Sequence, residues 1–264
     1  MQRSLRAGKS VFVEKPLCTE IEDLRAIVQA YEDGNAGAAL ALTVGTNRRF
    51  SSMVGATRDH FRGHTVQMHY RVNAAAIPAD SWLKDEAQGA GMLVAEMCHF
   101  VDVFRSICGS PITSVHATGA RSDEQSGANA DNVTLTLTFE NGSLGVLNYS
   151  TLGCRDLPKE RLEVFGGGRV AVLDDFTTLE LLGGPKPTKI KSGKQDKGQP
   201  QQVAATLQAF RDKRREVIPI AEIVEVMAAI LLAQKSLADG TVQRVVASDY
   251  YPSHPVVLEP EPAP

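Results

Sequence analysis

A chain of 264 residues with a formal net charge of -3 and 43% hydrophobic residues has the make-up of a soluble globular protein, long enough for one or two domains. The near-neutral balance argues against a nucleic-acid partner, and no run approaches the ~18 uncharged apolar residues of a membrane span. The opening MQRSLRAGKS carries basic residues without the apolar stretch of a secretion signal, and the four cysteines form no CxxC pair, so reduced thiols in a cytoplasmic chain are expected.

Residues 2–7 read as the tail of a helix ended by Gly8, and VFV at 11–13 as a short buried strand. TEIEDLRAIVQAYEDG (19–34) is predicted helical, with Thr19 able to cap it, acidic residues in its first turn and Gly34 at its end. AALALTVG (38–45) reads as another buried strand, with Asn47, Arg48 and Arg49 at its end. This α-β-α-β order implies parallel strands joined by helical crossovers. A helix follows over 52–61, and TVQMHYRVN (65–73) alternates like a half-exposed strand. The apolar spacing over 90–109 predicts a helix stopping at Gly109. Strand signals then dominate at 112–120, 132–139, 142–150, 161–166, 169–175 and 178–183, with a turn at ENGS (140–143). The Lys-, Gln- and Gly-rich stretch 186–202 reads as a mobile loop, and helices return at 201–213 and 220–238. The proline-rich end of the chain, 255–264, is expected to be disordered. The chain thus reads as a short parallel α/β segment followed by an α+β domain on a large, open-faced, mostly antiparallel sheet.

The stretch VFVEKPLC ends a strand on Glu14 and Lys15 and stops it with Pro16. The carboxyl ends of strands are where α/β sheets bind ligands. Proline fixes its own φ and holds the preceding residue extended, so Lys15 is aimed. Partial burial or a positive charge nearby would lower a lysine's pKa towards a value useful for proton transfer. By itself the pattern equally describes a surface Lys–Glu pair. Cys98 stands beside His99 as either a nucleophile or a small core residue, the latter being the plainer reading. His60 and His64 have i, i+4 spacing, but Gly63 weakens that helix and no carboxylate follows at ligand distance, so no metal site is expected there or at His69.

EKP after a strand, then VGTNRRF, then GAGMLVAEMCHFVD, together resemble the Gfo/Idh/MocA oxidoreductases, and the resemblance runs on to IPIAEIVEVMAAILLAQKSLADG (218–240). IPADSWLKDEAQGAGMLVAEMCHFVD and PKERLEVFGGGRVAVLDDF look closest to a subgroup in which such a module follows a zinc-alcohol-dehydrogenase-like half. The resemblance implies a C-terminal remnant of a dinucleotide-binding Rossmann domain at 1–51, a substrate and oligomerisation domain at 52–250, and a flexible tail at 251–264. It implies hydride transfer between NAD or NADP and a sugar, cyclitol or related hydroxy or keto compound. Lys15 and His99 take catalytic roles in that scheme. The family's acidic residue one helical turn before the histidine is Ala95 here, and Glu96 stands in for it. Glu14, Lys15, Pro16 and Arg48 are implied cofactor contacts. Asn47, Trp82, Lys84 and Asp102 are candidate substrate contacts. For Asn47 and Arg48 an interdomain salt bridge is the alternative, and for Asp102 the alternatives are orienting His99 or closing a local network. Arg155 and Lys159 could also face ligand.

The glycine-rich pyrophosphate turn of the family is not found. GNAG (34–37) follows a helix, GAGMLV (89–94) has Val94 where the third glycine belongs, and GGG (166–168) lies between two strands. Three readings stay open: an oxidoreductase incomplete in this chain, a non-catalytic remnant that binds a sugar-like ligand, and a split subunit completed by another chain. A homo-oligomer through the open sheet is expected in each.

Overall fold

The computed structural model describes residues 1–35, 40–76, 91–120, 131–213 and 216–251. It opens with helix α1 (Gln2–Arg6), strand β1 (Val11–Val13), helix α2 (Ile21–Asn35) and strand β2 (Leu42–Val44). β1 and β2 pair in parallel, Val11 beside Leu42 and Val13 beside Val44, as the alternation of strands and helices implies. α2 turns Leu24, Ile27, Val28 and Tyr31 inward, the three- and four-residue spacing of one helix face. It starts at Ile21, two residues later than expected, so Thr19 does not cap it.

Two expectations for the early chain change. The second strand is only Leu42–Val44, positions 38–39 of the expected strand lying outside the described residues. Asn47, Arg48 and Arg49 do not sit at a strand end; they form a 3-10 helix, Asn47–Phe50, that leads directly into α3 (Ser52–His60). Ser51 caps α3, its hydroxyl accepting from Met53 N–H at 3.2 Å.

The main sheet has nine strands: β3 (Gln67–Asn73), β4 (Ile112–Gly119), β5 (Val133–Phe139), β6 (Leu144–Ser150), β7 (Glu160–Gly166), β8 (Arg169–Asp174), β9 (Thr178–Leu182), β10 (Thr188–Lys191) and β11 (Gln243–Arg244). Their spatial order is β10-β9-β8-β7-β3-β6-β5-β4-β11, and β3 with β6 is the one parallel pair in it. In β5 the residues Val133, Leu135, Leu137 and Phe139 are buried and the threonines between them face outward, the two-residue period of a sheet with one face covered.

The covering layer is α4 (Gly91–Cys108) and α6 (Ile220–Asp239), which pack on each other and on β4 and β6. α4 is buried almost all round because it lies between the sheet and the other helices. Phe100 and Phe104 are 0% exposed, each worth about 1.5–3 kcal/mol on burial. At Gly145 on β6 a Cβ would sit 2.8 Å from the Phe104 ring, so the bare backbone there lets α4 settle onto the sheet.

The stretch 186–202 is not a simple loop. It contains β10 and the start of α5 (Gln199–Arg211), and the residues between them are tied down. Asn47 Nδ2 donates to Lys197 O at 2.6 Å, and Ser52 Oγ donates to Asp196 Oδ2 at 2.7 Å. Polar composition suggested mobility, but Lys197 O and Asp196 tie the stretch to the 3-10 helix and to the start of α3. No helix among the described residues is long and apolar enough to cross a membrane.

Candidate active site

Three elements converge beside the carboxyl end of β1. β1 supplies Lys15, α4 supplies Glu96 and His99, and the loop entering β7 supplies Lys159. Lys15 Nζ donates to Glu96 Oε1 and to Ala95 O, both at 2.7 Å. Lys159 Nζ lies 3.5 Å from Glu96 Oε2, so one carboxylate bridges two ammonium groups. Burial favours the neutral acid of Glu96, but the charge and hydrogen bond of Lys15, helped by Lys159, outweigh it and lower its pKa. The loop carrying Lys159 is itself fixed: Asn73 Nδ2 donates to Cys154 O and Leu157 O, and Asn73 N–H donates to Lys159 O at 2.7 Å.

His99 is 6% exposed, and its Nδ1 has no hydrogen-bond partner among the described residues. Burial, then the charges of Arg48 and Lys15, push its pKa down to about 3, so the imidazole is neutral over the physiological range. Neutral imidazole keeps a lone pair available for a proton. Burial also pushes the adjacent Cys98 thiol up to about 12, which makes Cys98 a protonated core residue rather than a nucleophile.

Behind this cluster lies Glu160, 0% exposed and saturated with donors. Arg48 donates to it through Nε at 2.8 Å and Nη2 at 2.9 Å, Tyr70 Oη at 2.7 Å, and Lys197 Nζ lies 2.8 Å away. Burial opposes its charge, but the hydrogen bonds and charge of Arg48, together with Lys197, hold the carboxyl at about 2. The Arg48 guanidinium carbon stands 4.8 Å from the Phe100 ring centroid, one residue along α4 from His99.

The expected residues therefore divide. Lys15, Glu96 and His99 come together. Glu14 is exposed beside Lys15, with its carboxylate against Gly45, and the Lys15–Pro16 peptide bond is cis. For Arg48 and Asn47 the alternative of a tie between the two parts of the chain describes the contacts: their side chains are committed to Glu160 and to Lys197 O. Asp102 does not orient His99. It accepts from Arg49 Nε at 2.9 Å, and Arg49 reaches on to Glu222 at 2.9 Å, closing the local network. Trp82 and Lys84 lie outside the described residues.

Glu160, Tyr70 and Lys197 were not anticipated. A signal for Glu160 existed, since it falls in period with the inward-facing Leu162 and Val164 of β7. A carboxylate in step with a buried face needs cations, and Arg48 was the candidate. Nothing local in the sequence marked Lys197.

Residues 62–169 match the family model described as the GFO/IDH/MocA C-terminal domain. The chain is 27% identical over 187 residues to the uncharacterized oxidoreductase YrbE of Bacillus subtilis (strain 168), covering 69% of this chain and 53% of that one. It is 28% identical over 179 residues to the inositol 2-dehydrogenase of Rhizobium meliloti (strain 1021), covering 65% and 52%. The chain spans about half the length of the curated relatives it matches. Its fold resembles that of a levoglucosan dehydrogenase solved with NADH and levoglucosan, with a TM-score of 0.77 at 17% identity over 92% of this chain and 75% of that one. The resemblance to the Gfo/Idh/MocA oxidoreductases is thereby borne out, most directly over residues 62–169, which hold the CHFVD helix and match that family's C-terminal domain.

Proposed function

We propose that this protein is a nicotinamide-dependent oxidoreductase that moves a hydride to or from a polyhydroxylated substrate such as a sugar or cyclitol. The observation that carries the reading is the contact between Lys15 and Glu96 at 2.7 Å, which brings a strand-end ammonium beside the helix that bears a neutral His99, whose Nδ1 has no partner among the described residues. A lysine and a neutral imidazole are a pair suited to one hydroxyl: one stabilises the oxygen as charge develops, the other takes its proton.

NAD or NADP would supply the hydride acceptor, because no side chain can. The residues fit its reacting end. Glu14, Lys15 and Pro16 would line the nicotinamide at the carboxyl end of β1, and His99 Nδ1 is a buried polar atom without a protein partner. Among the described residues no glycine turn leads a strand into a helix to hold a pyrophosphate; Gly166–Gly168 join two strands. In oxidation His99 accepts the hydroxyl proton as the C–H bond breaks. Lys15 donates a hydrogen bond to the oxygen that becomes a carbonyl. Glu96 holds Lys15 in position, and Lys159 shares that carboxylate.

The test is the appearance of reduced nicotinamide when the protein is given myo-inositol or D-glucose with NAD or NADP. Activity with one of them is expected, and Lys15→Ala and His99→Ala should each lower kcat/KM by about 10²–10⁴-fold without loss of fold. Wild-type protein that oxidises neither compound and shows no fluorescence change on NADH titration would sink the reading.

A further inference from the structure

Tyr70 and Tyr149 stand on neighbouring strands, β3 and β6, and both pack on Phe100 of α4, with ring centroids 5.0 and 6.2 Å away. Both are buried, at 1% and 2% exposure. Their hydroxyls end differently. Tyr70 donates to Glu160 at 2.7 Å, whereas Tyr149 Oη has no hydrogen-bond partner among the described residues. Buried phenols nearly always find one, and an unmet donor costs stability that phenylalanine would not.

The neighbours of Tyr149 belong to the candidate site. His99 flanks the same Phe100 ring at 6.3 Å, and its Nδ1 is also without a partner. Two buried polar atoms without a partner among the described residues thus sit on side chains next to Phe100, His99 as its neighbour along α4 and Tyr149 across from it on β6. The charged groups that act on Tyr149 include those of the site itself, Glu96, Arg48 and Glu160, together with Asp131 at the start of β5. Burial first, then Glu96, raise the phenol's pKa, so it remains a hydrogen-bond donor at any ordinary pH.

We propose that Tyr149 Oη is a substrate-binding group, donating a hydrogen bond to a hydroxyl oxygen of a polyhydroxylated substrate while Lys15 and His99 act on the reacting hydroxyl. The inference rests on the oxidoreductase reading above and adds a recognition residue to it. Tyr149 contacts the substrate away from the reacting carbon, so its loss weakens binding more than turnover.

The experiment compares wild type, Tyr149→Phe and Tyr70→Phe in thermal unfolding and in steady-state oxidation of myo-inositol and D-glucose. Tyr149→Phe is expected to keep or raise the Tm and to raise KM about tenfold with kcat within about threefold. Tyr70→Phe, which strips a donor from Glu160, is expected to lower the Tm. An unchanged KM in Tyr149→Phe, or a lowered Tm, overturns the proposal while leaving the oxidoreductase reading intact, because wild-type activity is measured alongside. Wild-type protein inactive on both compounds overturns that reading and this inference with it.

Discussion

An imidazole that is 6% exposed, with Arg48 and Lys15 as its nearby cations, resists protonation, and its pKa falls from 6.5 to about 3. The linkage has a definite sign. Above about pH 6.5 the histidine is neutral in both folded and unfolded chains and costs nothing. As the pH falls below that, the unfolded chain takes up a proton that the folded chain refuses, so stability is lost progressively down to about pH 3. Between about pH 6.5 and pH 5 the loss is about 2 kcal/mol. Urea unfolding near pH 7 and pH 5 should show this loss in wild type and a smaller one in His99→Gln; equal losses in the two proteins would contradict it. At this scale the sequence was legible where a motif marked residues that meet in the fold, as with Lys15 and Glu96 beside His99. It was silent where the role depends on what surrounds a side chain. Asp102 has the right spacing to serve His99, yet Arg49 takes its carboxylate from another element, and no spacing rule reports that competition.

The 3-10 helix Asn47–Phe50 and the segment before α5 hold each other in place, and Gly198 is where they touch. Its φ is +80°, and a Cβ there would stand 2.4 Å from Asn47 O and 2.6 Å from Ser51 N, both backbone atoms. The left-handed backbone alone costs a non-glycine residue about 1–2 kcal/mol, before any clash. Gly198→Ala should therefore destabilise the protein by on the order of 2 kcal/mol or more. It should also displace Lys197 from Glu160 and Asn47 from Lys197 O. Urea denaturation measures the first effect, and full stability in the variant would refute the close approach. Elements with strong periodicity, such as α2 and β5, were readable because burial follows period. β10 and β11 were not. β10 is short, mostly exposed and rich in lysine, and β11 has two residues, so neither carries an alternating apolar pattern. Both are held by pairing with a neighbour strand, which is a tertiary fact.

Across the whole molecule, the outer face of the nine-stranded sheet carries a lateral apolar row. Strand register aligns Leu144 with Gln67, Gln67 with Phe165, Phe165 with Val170 and Val170 with Leu182. Leu144, Phe165 and Leu182 are 40%, 41% and 40% exposed. Apolar side chains lined up across a sheet favour a second sheet face. We expect sedimentation velocity to return a dimer or larger for wild type and a shift to monomer for Phe165→Glu; wild-type protein that sediments only as monomer would remove the sheet-pairing model. Glu160 carries a different whole-chain consequence, one of timing. Its carboxylate takes Arg48 and Tyr70 from the chain before it and Lys197 from the chain after it. At roughly 5–20 residues per second of synthesis, Lys197 arrives about 2–7 seconds after Glu160. The full set of donors around Glu160 is therefore complete only once the polar stretch before α5 has been made, which ties the pairing of this buried charge to a segment well downstream of it.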